Sequence, residues 1–560
     1  MILILISWLL FFFVFLSYGY TFSKIAKIQP TDLSITILQG VFIQTILLTS
    51  CSFFFKIGAV VFTINLFLGI VLFYLYRNEL ITLLKDTNYN FHKFSKYTKS
   101  VLLLLFFIAL KTSSDLPFLI DNESYYIQSI KWINEYGLVK GLANLHLFLG
   151  QMSPFHILQA GFNFNFISNQ FNDLNGFVLV ICSYYFLQEM EKQYQQKRLH
   201  WIGFVVLFTI VFQQFVSQPS PDLILLLVTQ IILYLFLEQT HSSTSFRNTL
   251  LLFALIVFIK ITILPMGLLF IYWAYTLKKE YTYSMVILSV IGVLFVLKNT
   301  IITGYPLFPF PQFALDVPWR LPEILLKRLS DVTVNAGYFE SNIIPNASIS
   351  TKLKSWLLLG GLNRIFNIGV LILYITIPFT RNFKKFKLVR VAYVILAIHF
   401  ILILLKSPQF RFFLPEFIFL SALLCVELAI VLKIRSRDVA AFLLVFCTGS
   451  FMLFTFLNLT PLTNNKFHQT HTLFTSKQLV IPRENTKYPD MEFDNLHLKN
   501  LLFYSPKKNF FFYGTANGPL PCVNKKQLKF MFKKTGYIPQ QLGNEVSDGF
   551  YSLKYKRNDH

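Results

Sequence analysis

Acidic side chains are scarce: 27 Asp and Glu stand against 50 Lys and Arg in 560 residues, and charged residues of both signs make up only 14%. Ordinary soluble domains carry about a quarter charged residues, so this composition excludes a chain made of soluble domains alone. Cysteine is also rare. The five, Cys51, Cys182, Cys425, Cys447 and Cys522, show no Cys-x-x-Cys or Cys/His spacing, and four lie in or beside apolar runs. Neither a disulfide framework nor a zinc site follows from them. Internal repeats are missing, as are low-complexity tracts beyond a Phe/Leu/Ile bias.

What is abundant is apolar. The chain is 54% hydrophobic, with 64 Phe and 27 Tyr and a mean hydropathy of +0.55. Apolar runs of roughly membrane-spanning length start at 1–19 and recur near 31–50, 53–76, 99–118, 173–188, 200–216, 221–238, 248–263, 264–278, 283–300, 362–380, 388–405, 412–432 and 438–458. The first lacks a basic start and a small-residue cleavage site, so it reads as a retained span rather than a signal peptide. The fold expected is an all-α polytopic membrane protein of about 14 helices, with a transmembrane region over 1–458. From 459 to 560 short apolar runs, Leu501 to Tyr504, Phe510 to Tyr513 and Gly549 to Leu553, alternate with Pro, Gly, Asn and Lys clusters. That pattern predicts a small α+β or β domain outside the membrane with a modest core of its own.

A net charge of +23 raises nucleic acid as a partner. The distribution rejects it, because the cations sit in short loops between spans: Lys24 and Lys27; Arg77, Lys85, Lys93 and Lys96; Lys192, Lys197 and Arg198; Lys278 and Lys279; Arg381 to Lys387; Lys433 to Arg437. All fall on one side, which the positive-inside rule places in the cytoplasm. The segments 119–172, Gln218 to Asp222, 301–361 and Lys406 to Arg411 then lie outside, with the tail. Within 119–153, Tyr126, Ile130, Ile133 and Leu138 recur at near-helical spacing, predicting an amphipathic helix in the membrane interface with breaks at Gly137 and Gly141. The apolar 154–168 stretch must dip in and return or lie along the surface. Gly304 to Pro311, punctuated by proline, cannot be regular helix.

The chemistry concentrates at Asp121-Asn122-Glu123-Ser124-Tyr125-Tyr126, where carboxylates meet the end of an apolar run, close behind Asp115. Acids beside a span are usually paired or functional, although Asp121 or Asn122 equally suits a helix cap. A substrate that is itself partly lipid fits such a chain, with membrane lipids around it. A lipid-phosphate sugar donor would keep its tail in the bilayer and present sugar and phosphate to Asp121, Glu123, His146, His156, Asp222 and Arg411. Asp121 has the position of a base for the acceptor hydroxyl. Arg411 and Lys406, or a divalent cation, have the charge for the leaving phosphate. Each residue also has a structural explanation: a cap for Asp222 after Pro221, a snorkelling anchor for Arg411, hydrogen-bonded structure for the two histidines. Lys260 reads as an ammonium inside an apolar span, which needs a cavity or a partner.

Asp121, Tyr125, the run from Ile130 to His146, Ser220-Pro221-Asp222, Asn299 to Pro309, Ser407 to Phe412 and Ser547 to Phe550 together resemble an uncharacterised bacterial family of multi-pass membrane proteins. That family is similar in layout to the GT-C superfamily of membrane glycosyltransferases. The resemblance implies an inverting transferase with a polyprenyl-phosphate-linked sugar donor, a glycan or lipid acceptor, and a catalytic acid in the first large outer loop, where Asp121 stands. Glu123 is the neighbouring acid, and Tyr125, His146, Asp222, Lys260, Lys406 and Arg411 are the expected donor contacts. The leading expectation is surface-glycan assembly at the outer face of a bacterial inner membrane. About four spans precede Asp121 where the superfamily usually has one, and Leu147-Phe148 replaces a Gly-Arg pair after His146. A transporter or flippase for a lipid-linked glycan, and a non-catalytic scaffold, are the alternatives. A transporter calls for polar residues near the middle of several spans, and Lys260 is the chief one legible.

Overall fold

The computed structural model describes residues 1–30, 32–168, 171–196, 199–238, 242–277, 280–340, 344, 347–457, 474–507 and 510–555. Lys197, Arg198, Lys278 and Lys279 of the basic loops, and the start of the tail, lie outside the described residues. Eight described helices are long and apolar enough to cross a membrane: Ile2–Ile25, Leu33–Ser52, Pro221–Glu238, Tyr281–Thr303, Gly361–Phe379, Lys387–Lys406, Phe410–Val431 and Asp438–Phe456. Ala59–Leu75 and Arg77–His92 form a further apolar pair bent by 83°, and three shorter apolar helices are Trp201–Val216, Ser243–Ile259 and Ile261–Tyr275. The chain is a polytopic helical membrane protein with a small C-terminal β region.

Apolar side chains gain little by meeting each other instead of lipid tails, so such helices associate through close packing and polar pairs. Ile2–Ile25 and Leu33–Ser52 show both. A Cβ on Gly19 would stand 1.9 Å from the Thr36 carbonyl oxygen and one on Gly40 1.8 Å from that of Phe15, so the two backbones touch. Beside them Ser23 donates to Gln39 (2.6 Å), Gln39 donates to Asn248 (2.6 Å), and Gln44 and Asn65 exchange two bonds (2.9 and 2.8 Å).

The helix ends sort into two faces. At one, Arg247 reaches the Lys27 carbonyl (3.4 Å) and Glu280 (2.8 Å), the Ser95 N–H donates to Glu191 (3.1 Å) and that of Asn382 to Glu427 (2.7 Å). At the other, Leu138 N–H donates to the Ser52 carbonyl and Gly141 N–H to that of Ile301 (both 2.8 Å). There Phe118 N–H also meets Gln218 (2.7 Å) and the Trp356 indole meets Pro408 O (2.8 Å). The described basic loops therefore share one end and the polar segments the other. With native cysteines removed, single cysteines at the exposed Gln312 and Asn500 are expected to react with a membrane-impermeant thiol reagent in intact spheroplasts, and one at Asn88 is not. Labelling at Asn88 alone would reverse the orientation.

Several expectations change here. The segment after Asp121 is a helical turn, Asn122–Tyr126, running into Ile127–Glu135, and it breaks at Gly137 and Gly141, both with positive φ. It is packed inside the protein and leaves no open amphipathic face. Gln128, Ser129 and Asn134 are buried with Ile130 and Ile133, because the bundle takes one side and the tail the other. The 154–168 stretch opens with a short, fully buried helix, Pro154–Gly161. Gly304 to Pro311 is irregular as expected, but the same outer segment also holds helices Glu323–Phe339 and Ile349–Leu358.

The tail has two antiparallel hairpins, Phe493–Leu498 with Leu501–Pro506 and Tyr537–Gln541 with Phe550–Lys554, around helix Lys525–Thr535. Phe510 to Tyr513 is not a strand. Nor does the tail keep a separate core: Leu501, Phe503, Val523 and Phe550 join the bundle's apolar cluster, and Met531 packs with Ala143, Leu147, Tyr305 and Leu325. Two-stranded sheets are marginal alone, and these lean on the outer segments.

Candidate functional site

Four charged residues from four parts of the chain meet at the end of the bundle that carries the outer segments. Helix Pro221–Glu238 begins there, with the Ser220 hydroxyl accepting from the Asp222 N–H (3.3 Å). Ser220 caps the helix, which leaves the Asp222 carboxylate free. Helix Ser243–Ile259 ends at the same level, and Lys260, in extended backbone, follows it. Lys260 thus stands at the end of its span instead of inside it, and its partner is Asp222, with which it forms a close ion pair. Arg411 enters at the start of Phe410–Val431; its Nη1 donates to Asp121 Oδ2 (2.5 Å) and stands 3.8 Å from Asp222 Oδ2. Gln409 accepts from Arg411 Nε (2.9 Å) and orients the guanidinium. Both cations lie against the Phe412 ring, Lys260 Nζ at 4.1 Å and the Arg411 guanidinium carbon at 5.1 Å from its centroid.

The burial of these groups is uneven. Asp222 is 1% exposed at its side chain, whereas Lys260, Asp121 and Arg411 retain 20%, 22% and 25%. Asp222 is therefore the inner anchor, and the other three keep a partly exposed side. Asp121 is not a cap, since its side chain accepts from no N–H of the following turn and is taken by Arg411. Tyr125 and Tyr126 stack edge to face beneath it, with centroids 4.7 Å apart. Burial, reinforced by the Asp121 charge, raises the Tyr125 phenol well above its ordinary range, so it stays protonated.

The other expected site residues are placed elsewhere. Glu123, two residues from Asp121, is fully buried against the tail: it accepts from the Thr486 hydroxyl (2.7 Å) and the Lys487 N–H (2.9 Å), and its carbonyl accepts from the N–H groups of Thr515 and Ala516 (both 2.9 Å). Burial raises the Glu123 carboxyl and lowers the Lys487 ammonium, favouring the neutral form of each. Glu123 is a fastener between the loop and the tail. His146 accepts from the Phe148 N–H (3.2 Å) and donates to the Tyr513 carbonyl (3.2 Å). His156 accepts from the Ser153 N–H (3.3 Å) within a capping box, its ring 4.9 Å from that of Tyr126. Burial pushes His146 down to about 4 and His156 to about 3, so both are neutral near pH 7 and neither supplies a cation. Lys406 is exposed, its ammonium 5.9 Å from the centre of the Phe310 ring, at the rim and outside the cluster.

Gln409 stands in the Ser407 to Phe412 run but no charge marks it for a role, and Lys298, which no motif includes, is buried with its ammonium on the Met152 carbonyl (2.8 Å). A second buried pair, His399 with Glu416, joins helices Lys387–Lys406 and Phe410–Val431, and the other His399 nitrogen meets the Thr262 carbonyl at 3.0 Å. An acid and a histidine inside apolar runs were the available signal for that pair.

Among the described residues no three His, Cys, Asp or Glu side chains group as metal ligands. The two carboxylates of the cluster are already faced by Arg411 and Lys260.

No curated protein and no solved structure matches the chain. A family model described as a domain of unknown function, DUF8201, matches residues 1–419. That stretch contains Asp121, Asp222, Lys260 and Arg411, every member of the charged cluster, and the chain belongs to the DUF8201 family.

Proposed function

We propose that the protein is an inverting glycosyltransferase that takes a sugar from a polyprenyl-phosphate-linked donor at the outer face of a bacterial inner membrane, in surface-glycan assembly. The observation that supports this reading is the pairing of a partly open carboxylate, Asp121, with two partly open cations, Arg411 and Lys260, at the end of an apolar bundle. An acceptor hydroxyl would give its proton to Asp121 as its oxygen attacks the anomeric carbon. The bond from that carbon to the phosphate breaks in the same displacement, which inverts the centre, and the phosphate leaves with the electron pair. Arg411 and Lys260 stabilise its developing charge. Asp222 holds both cations on the partly exposed side of the cluster, and the protonated Tyr125 donates a hydrogen bond to sugar or phosphate. We take the chain to cross about 14 times, with shorter or less apolar helices crossing beside the eight long ones.

A second reading, a transporter or flippase for a lipid-linked glycan, is favoured by the His399–Glu416 pair and by Lys298, since these place polar groups in three spans. One assay separates the two. Purified protein in liposomes is given radiolabelled polyprenyl-phosphate-linked sugars and the lipid and glycan acceptors extracted from the source membranes. Transfer is expected to yield glycosylated acceptor and an equal amount of free polyprenyl phosphate. Movement of intact donor between leaflets with no release of polyprenyl phosphate would replace the transferase by the transporter.

A further inference from the structure

The helix Arg77–His92 has no part in the charged cluster, and its placement is unusual. It follows the apolar helix Ala59–Leu75 at an angle of 83°, so where that helix crosses the bilayer, Arg77–His92 runs nearly along the bilayer surface. One face packs inward, with Leu80 buried and Leu83, Leu84 and Phe91 half-buried against the bundle, and the Thr87 carbonyl accepts from the Tyr184 hydroxyl (3.4 Å). The opposite face is open and mixed: Ile81 and Tyr89 are exposed beside Lys85, and Tyr74 and Tyr97 flank the two ends.

The charges on this open face lack internal partners. Among the described residues, none of Arg77, Lys85, Lys93 and Lys96 has a carboxylate within ion-pair distance. Instead, Arg77 lies 5.0 Å over the Tyr74 ring and Lys93 4.0 Å over that of Tyr89. Lys24 belongs to the same face, because the Tyr20 ring beneath its ammonium meets Tyr76 at a tilt, with centroids 5.6 Å apart. Aromatic rings at headgroup depth with cations projecting past them are what a helix lying in a membrane interface presents. Ile81 and Tyr89, bare on the same side as the cations, suit the headgroup boundary, where an apolar body and a charged tip are both accommodated.

We infer that Arg77–His92 is an in-plane membrane helix whose open face binds the headgroups of anionic phospholipids, with Ile81 and Tyr89 in the headgroup boundary and Arg77, Lys85, Lys93 and Lys96 on lipid phosphates. Charge complementarity selects the occupant. The four cations outnumber Glu79 and Asp86, the acids of the same segment, and each cation near an anionic surface adds attraction.

The test uses the full-length protein in nanodiscs of phosphatidylcholine and phosphatidylglycerol in equal parts, with native mass spectrometry counting the lipids that stay bound on release. The wild type is expected to retain phosphatidylglycerol over phosphatidylcholine by on the order of tenfold, and the combined variant Arg77→Gln, Lys85→Gln, Lys93→Gln, Lys96→Gln to lose most of that preference. Equal preference in the two proteins would overturn the assignment. A second measurement does not depend on the variant folding. A fluorophore on a single cysteine replacing Ile81 is expected to be quenched by lipids spin-labelled near the headgroup, more than by a water-soluble quencher. The reverse order would mean that the helix faces water or is covered by another protein, and the proposal fails.

Discussion

Glycan transfer by Asp121→Asn is expected to fall by on the order of 100-fold or more, with expression and membrane insertion unchanged. Asparagine keeps the size of the side chain and still accepts a hydrogen bond from Arg411 through its carbonyl oxygen, but it takes no proton at neutral pH. The geometry adds a second expectation. Arg411 Nη1 is held by Asp121 at 2.5 Å in the free protein, so the carboxylate competes with any donor phosphate for the guanidinium. With that competitor neutralised, a polyprenyl phosphate should bind at least as tightly as to the wild type while transfer collapses. Asp115 and Glu123 are the comparison. Asp115 is tied to Lys111 (2.7 Å) and Gln478 (3.0 Å), and Glu123 to Thr486 and Lys487 of the tail. Asp115→Asn and Glu123→Gln should therefore leave more transfer than Asp121→Asn and act through stability. Normal transfer by all three single variants and by the triple variant would sink the transferase mechanism.

Asp222→Ala is expected to be the most destabilising change in the cluster. The carboxylate is 1% exposed, pairs with Lys260 and stands 3.8 Å from Arg411. Removing it leaves the partly buried Lys260 ammonium without its counter-charge and the Arg411 guanidinium with Asp121 alone. Breaking one partner of a buried pair costs about 3–5 kcal/mol, because the remaining charge is stranded in a poor solvent for it. The thermal midpoint of the detergent-solubilised protein should fall accordingly. The double variant Asp222→Leu with Lys260→Met should recover much of that loss, since it removes both charges together and leaves apolar groups of similar size. A double variant no more stable than Asp222→Ala would show that the pair contributes through shape and not through charge.

The residues of the cluster were legible for a simple reason. In a chain this poor in charge, Asp121, Asp222, Lys260 and Arg411 stand out at the borders of apolar runs, where a charge is costly unless used. Their pairing was not legible. Asp121 and Arg411 are 290 positions apart, and no local pattern reports such a contact. Lys260 was misplaced in depth because the apolar run continues past it to Leu264, and hydropathy does not see that the helix stops at Ile259. Asp121 and Glu123 read as near-equivalent acids, yet successive side chains on a helix point in different directions. One turn therefore sends Asp121 toward Arg411 and Glu123 into the tail.

The amino-acid sequence by itself determined that the chain is a helical membrane protein, where its longer spans lie, that its basic loops belong together, and that Gly137 and Gly141 interrupt the segment after Asp121. Each of these follows from local terms: transfer of apolar side chains, the cost of charge in lipid, and the backbone freedom of glycine. Tertiary structure decided the rest. The tail shares its core with the outer segments, Ile127–Glu135 is internal and not interfacial, and Arg77–His92 is a helix bent 83° from its predecessor where a basic loop was expected. These depend on which surfaces meet. An amphipathic stripe specifies that one face must be covered, but bilayer, bundle and tail all satisfy it, and only the packed chain selects among them.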